Sequence, residues 1–446
     1  MGCALGCVGT ALLGLCSPLS VSTEEASCAG STASSTSWPS PSPWPAVLAV
    51  AAPAEAAPGD WWQFGYTAAN TRFNPNETTI GASNVGGLVV GAQQTPLVGV
   101  PGSSDAVEAT GLVVANGRAY VNAWGGEGTS GTLIAYSVSG GFQEAWRQRT
   151  GCYSASPTVH LGIVFLGSIA CRPSGDDGGA YAFDGTTGQK LWYSQELIGE
   201  GEEDASNVAA TNGAVYFTIH ANAVYGGDDA LLSLDARTGA VRWQVAGYFG
   251  TPAVTGGRVF VNTLSGLQAR SASTGALLWS KTPGGDRWTA PAVSNGVVYV
   301  TGTENGVVKL FAYAVTNGAL RWKRTLSGQN IYSWLAVTGG RVLVATSSGL
   351  HAYAAASGAP RWSRAVAANS SPAIANGLVY LGLQQGIGAW RLSDGARRWR
   401  FGTIRYGSPA VSGGRLYVSA VASTNDQDVA VVDQFRLGTA AAGALS

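Results

Sequence analysis

The chain has 446 residues, 46% of them apolar and only 12% charged, with 63 glycines and a formal net charge of zero. That length suits one large repeat domain or two to three ordinary ones, and the charged share is about half the usual one. A zero total gives nucleic acid or another polyanion no electrostatic support, and no run of 18 apolar residues asks for a membrane-spanning helix.

Residues 1–58 read as an export leader and disordered linker. Two apolar runs, Ala4–Leu19 and Trp44–Ala57, flank the Ser/Thr/Pro-rich stretch Ser31–Ser42, and no Lys or Arg precedes Arg72. A signal peptide normally opens on positive charge, so export here is atypical. Leu13-Gly14-Leu15-Cys16 resembles a lipoprotein cleavage site except at Leu15, where a small residue is usual. The expectation is an extracytoplasmic, monomeric protein, secreted or attached to the cell envelope, with a lipid anchor left open.

From residue 59 onward the chain repeats. Eight turns ending in Gly precede alternating apolar runs: Asn116-Gly117, Leu161-Gly162, Asn212-Gly213, Gly256-Gly257, Asn295-Gly296, Gly339-Gly340, Asn376-Gly377 and Gly413-Gly414. Asn-Gly and Gly-Gly suit two-residue hairpins, in which both central residues need positive φ. The flanking runs, such as Val297-Val298-Tyr299-Val300, are β-branched with period 2 and read as strands. A third strand carries one small residue per repeat: Ala135, Ala182, Ser233, Ala269, Ala312, Ala352 and Ala389. It is expected to let neighbouring sheets approach.

A fourth strand follows another Gly turn and carries a tryptophan: Trp146, Trp192, Trp243, Trp279, Trp322, Trp362 and Trp399, spaced 36 to 51 residues apart. A period near 40 to 50 residues signals a propeller or solenoid. These rings are expected to pack between blades, each burying about 200 Å². The eighth repeat lacks a fourth strand before the tail at 439–446. The segment Asn84–Val90, with Val90 near the Trp position, can supply it from the other end of the chain. The expected fold is therefore all-β, an eight-bladed propeller of four-stranded antiparallel blades over residues 59–438, closed by an N-terminal strand.

Ala-Phe-Asp184-Gly185-Thr-Thr-Gly188-Gln-Lys-Leu-Trp192 and its six relatives resemble the pyrroloquinoline-quinone-type (PQQ-type) propeller repeat. The leading segment Trp61-Trp62-Gln63-Phe64 through Asn70, Arg72, Asn74 and Ile80 is similar to the opening of that family. The resemblance covers roughly residues 60–438 and implies the fold strongly and the function weakly. It implies two functions. One is a non-catalytic scaffold, as in the propeller lipoprotein of outer-membrane protein assembly, presenting loops to a protein partner. The other is a quinoprotein dehydrogenase of alcohols or sugars, with PQQ in the central funnel, a bound Ca²⁺ and an Asp base. The adjacent Cys-Cys pair of the large alcohol dehydrogenases is absent from this sequence.

Cys152 and Cys171 are equidistant from the Leu161-Gly162 turn and would face each other across the hairpin, as a disulfide or as buried thiols. Cys3, Cys7, Cys16 and Cys28 fall in the leader. Functional candidates fall on the face carrying the links from strand two to strand three and from blade to blade. Tyr153, Tyr248, Phe249, Arg287, Trp288, Tyr332, Trp334, Arg405 and Tyr406 come just before inner strands and are expected to ring the channel mouth. They would meet a planar anion or a peptide, or simply pack the rim. Asp228, Asp229, Asp426 and Asp428 are weak Ca²⁺ candidates on the same face, against the plainer reading of a solvated acidic rim.

Overall fold

The computed structural model describes residues 56–95, 108–124, 131–151, 155–168, 179–194, 203–205, 207–221, 229–282, 289–328, 334–424 and 427–438. The chain divides into residues 1–51 and 52–446, and every described residue lies in the second unit.

Strands dominate the described residues; a single 3₁₀ turn, Val85–Gly87, interrupts them. They form eight four-stranded antiparallel blades. Blade 1 comprises Val113–Ala115, Arg118–Trp124, Gly131–Ser137 and Glu144–Thr150, and blade 2 Thr158–His160, Ile163–Ser168, Gly179–Asp184 and Lys190–Tyr193. The pattern recurs through blade 6 (Ala336–Val337, Arg341–Thr346, Gly349–Ala354, Pro360–Arg364) and blade 7 (Ala373–Ala375, Leu378–Leu383, Gly386–Arg391, Arg397–Phe401). Seven of the eight hairpins between strands one and two place both turn residues at φ from 42° to 74°. Gly339-Gly340 departs from this expectation. Neither φ is positive there, and the Thr338 Oγ1 instead accepts from the Gly340 and Arg341 N–H groups at 3.2 and 3.0 Å.

The small residue of the third strand has a different role from the one expected. Each sits directly between two large cross-strand partners. Ala135 opposes Tyr120 on one side and Trp146 on the other, and Ala269 opposes Phe260 and Trp279. A small side chain lets the two rings meet above it, with centroids 5.8 Å apart for Tyr120–Trp146 and 6.0 Å for Phe260–Trp279. A bulge immediately after the small residue turns the fourth strand. The next blade then packs onto the tryptophan. Its turn glycine, Gly188 on Trp146 or Gly358 on Trp322, lies so close that a Cβ would fall 2.7 or 2.5 Å from the ring. Each indole N–H from Trp146 to Trp362 donates to a carbonyl of the following blade at 2.9–3.1 Å.

Blade 8 consists of Ala410–Ser412, Arg415–Thr424, Gln427–Leu437 and, as its outer strand, Leu88–Gln94 from the beginning of the ring. The register puts Ala92, rather than Val90, opposite Gln434 at the tryptophan position. Trp399 of blade 7 therefore meets Phe435 edge-on at 5.3 Å instead of a turn glycine. The closure is pinned by the buried Asp433, which accepts from Gln93 Nε2 at 2.7 Å and from the Tyr406 hydroxyl at 2.9 Å. Burial raises the Asp433 carboxyl above the usual range.

Candidate functional site

In a propeller the inner strands leave one edge unpaired toward the axis, and such an edge needs partners. Residues 61–74 supply them in a single circuit through all eight blades. The carbonyls of Trp61 and Trp62 accept from Val114 and Val159 N–H, each at 2.7 Å. Gln63 Nε2 donates to Ala210 O in blade 3 at 2.7 Å. The carbonyls of Ala68, Ala69, Thr71 and Arg72 then accept from Val254, Val293, Val337 and Ile374. Asn74 Nδ2 reaches Val411 O in blade 8 at 2.8 Å. Fitting so tight a circuit puts Tyr66, Asn70 and Arg72 at positive φ.

Arg72 is the centre of this plug. It is fully buried and donates to Pro372 O at 2.7 Å, Pro409 O at 3.0 Å and Phe64 O at 2.5 Å. Its guanidinium lies 4.4 Å from the Phe64 ring centroid and 5.5 Å from that of Trp61. Burial pulls its pKa down to about 9, while carbonyl oxygens and ring faces favour the cation. The leading segment was visible in the sequence as a motif, but its place in the channel was not.

Above the plug opens a funnel of about 640 Å³ on the face of the blade-to-blade links. Phe64 and Trp334 form its base, edge to face at 4.7 Å. Its wall sets hydroxyls and amides, among them Thr110, Ser156, Asn207, Thr346, Asn369 and Ser371, beside the alanines Ala109, Ala155, Ala345 and Ala368. Several of these groups already latch one blade to the next. Trp334 N donates to Ser371 Oγ at 2.8 Å, Ser371 N to Ser408 Oγ at 3.1 Å, and Ser156 N to Asn207 Oδ1 at 3.0 Å. No carboxylate, Lys or Arg side chain is among the described residues lining the funnel.

The expected aromatic ring at the mouth is only partly assembled. Trp334 is in the funnel. Phe249 is 3% exposed and packs in the core beside Trp243 and the Arg270 guanidinium. Tyr406 is 2% exposed, turned into the blade toward Asp433. Both leave the rim because their rings gain more from apolar burial than from the wet mouth. Tyr248 is exposed and stacks on His220 at 4.3 Å, and Arg405 pairs with Val421 at the edge of blade 8. Tyr153, Arg287, Trp288, Tyr332, Cys152 and Cys171 lie outside the described residues.

Of the acidic candidates, Asp228 and Asp426 also lie outside them. Asp229 precedes the third strand of blade 3, and Asp428 pairs with Ser423 in blade 8. No group of three or more His, Cys, Asp or Glu able to hold a metal occurs among the described residues. The described funnel residues are a poor fit to PQQ with Ca²⁺, because they offer no cation to the carboxylates of the quinone and no carboxylate to the metal. The long links between strands two and three are confined to blades 1–3; in blades 4–8 that link is two residues.

The profile of the family described as outer membrane protein assembly factor BamB matches residues 76–248 and 227–433. The chain belongs to that family. BamB of Yersinia pestis is 33% identical over 159 residues, which cover 33% of this chain and 39% of that protein. The chain thus aligns to well under half the length of that relative. BamB of Moraxella catarrhalis superposes with a TM-score of 0.56 at 16% identity, over 79% of this chain and 98% of that one. Quinohemoprotein alcohol dehydrogenase of Comamonas testosteroni superposes with a TM-score of 0.66 at 16% identity, over 88% and 82%. At such identities the two superpositions establish the shared propeller fold. No helix among the described residues is long and apolar enough to cross a membrane.

Proposed function

We propose that this protein is an exported, non-catalytic propeller scaffold of the cell envelope that binds a protein partner through the loop face around its channel. The observation that carries the reading is the funnel itself. Its floor is filled by the chain's own plug, and its described wall is neutral, with several of its polar groups already used between blades. Such a surface can accept main-chain and amide groups of a partner. Among the described residues it offers a redox cofactor no charged anchor. Membership of the BamB family supports the same reading, since the relatives are named for an assembly role.

The test is site-specific photo-crosslinking in cells from Ser347, exposed on the funnel face, and from Asn295, exposed on the opposite hairpin face. A discrete protein adduct from Ser347 and none from Asn295 is expected. In parallel, the purified protein is titrated with PQQ and Ca²⁺ and assayed for dye-coupled alcohol and sugar oxidation. Cofactor-dependent turnover would overturn the scaffold reading.

A further inference from the structure

The zero net charge conceals a strong asymmetry. Residues 305–415 contain 13 Lys and Arg and one acid, Asp394, whereas residues 1–304 contain 12 basic and 22 acidic residues. The basic stretch builds most of blade 5 and all of blades 6 and 7. On their outer strands Arg321, Lys323, Arg324, Arg361, Arg397 and Arg400 are exposed. The two acids nearby are already engaged: Glu304 by Lys309 and Lys323, and Asp394 by Arg391. Charges on edge strands guard against unwanted pairing, but a guard works with either sign. A run of one sign across three consecutive blades is more than that purpose requires.

Between the outer strand of blade 6 and blade 7 this surface contains a cleft of about 540 Å³. Its charged lining is Arg364, Arg397 and Arg400, with no acid, and its apolar wall includes the buried Leu383 and Trp390. Arg364 is held in place by the carbonyls of Ser363, Asp394 and Gly395, each at 2.7 Å. Arg397 makes no ion pair among the described residues. A glycine shapes the blade 7 side of the cleft. Gly388 lets the Trp390 ring fold over it, since a Cβ there would lie 2.6 Å from that ring. The corresponding position, one before the small residue of the third strand, is Ile134, Tyr181, Leu232, Gln268, Phe311 or His351 in the other blades.

We propose that this sector of the rim docks on an anionic phospholipid surface, with one lipid phosphate among Arg364, Arg397 and Arg400 and its adjoining apolar part against Leu383 and Trp390. Guanidinium forks match phosphate oxygens. An apolar wall beside them suits an amphiphile better than a wholly polar acidic peptide. The spread of cations over three blades suits an extended surface better than a free phosphate ion. The cleft adjoins the funnel at Gln384, but its three arginines do not line the funnel, and the proposal does not depend on the scaffold reading.

The experiment is co-sedimentation of the full chain with phosphatidylcholine vesicles, with or without phosphatidylglycerol, at low and high salt. Binding only to the anionic vesicles, weakened by salt, is expected. At about fivefold per surface cation, Arg397→Glu with Arg400→Glu should weaken it about 25-fold or more, while Arg237→Glu, exposed on blade 3, leaves it unchanged. Single Arg397→Gln, the mildest change, should still give a measurable loss. Equal binding to neutral vesicles, or an equal loss with Arg237→Glu, overturns the proposal. Complete displacement by millimolar glycerol phosphate would assign the cleft to a free phosphate instead, and equally tight binding of polyglutamate would assign it to an acidic peptide.

Discussion

Replacing Arg72 by Met keeps an unbranched apolar stem in the channel but removes every donor of the guanidinium. Three carbonyls within 3.0 Å, those of Phe64, Pro372 and Pro409, then lose their partner in a site without water access. Charge-assisted hydrogen bonds contribute about 1.5–3 kcal/mol each. That loss is partly offset by relief of the buried cation's desolvation, so a net cost of about 3–5 kcal/mol is expected. The assay is equilibrium urea unfolding followed by tryptophan fluorescence. Arg72→Lys, with one ammonium in place of the fork, should fall between the two. The sign with pH also discriminates. Burial alone puts the folded pKa near 9, below that of the unfolded chain, so the unfolded state would bind more protons above that pH. The wild type would then gain stability as pH rises from about 9 toward 12. Carbonyl oxygens that favour the cation should flatten this gain, and the cost of Arg72→Met should stay constant from pH 5 to 8. A loss under about 1 kcal/mol would refute the reasoning that these bonds anchor the plug.

Asp433 has a folded pKa raised by burial, so the folded state holds its proton more tightly and stability declines as pH rises from the unfolded carboxyl value through the folded one. Asp433→Asn keeps an acceptor for Gln93 Nε2 and lets the Tyr406 hydroxyl turn to accept from the new amide, and it should flatten that decline, as read by melting temperature between pH 3 and 7. Among the hairpins, Gly377→Ala at φ 73° should cost about 1 kcal/mol. Gly340→Ala, with no positive φ and nothing within 4 Å of its Cβ, should be neutral or slightly stabilising in the same unfolding assay.

The sequence by itself determined the repeat, the blade boundaries and the closing strand, because these rest on local rules. Two-residue turns need positive φ, strands alternate, and each fourth strand follows a Gly turn and carries a tryptophan. Even there register had to be seen: a bulge after Gln434 moved Ala92, not Val90, to the tryptophan position. The charge excess in blades 5–7 was equally present in the sequence, hidden only by taking the total over the whole chain. The tertiary structure alone decided what fills the channel. Residues 61–74 are contiguous, but their partners are spread from Val114 to Val411, and no local pattern tells a motif which eight strand edges will surround it. It also decided the fate of Phe249 and Tyr406. Their place before inner strands suggested the mouth, yet a ring one residue from a rim can turn inward, and burial against Arg270 or Asp433 drew both away from it.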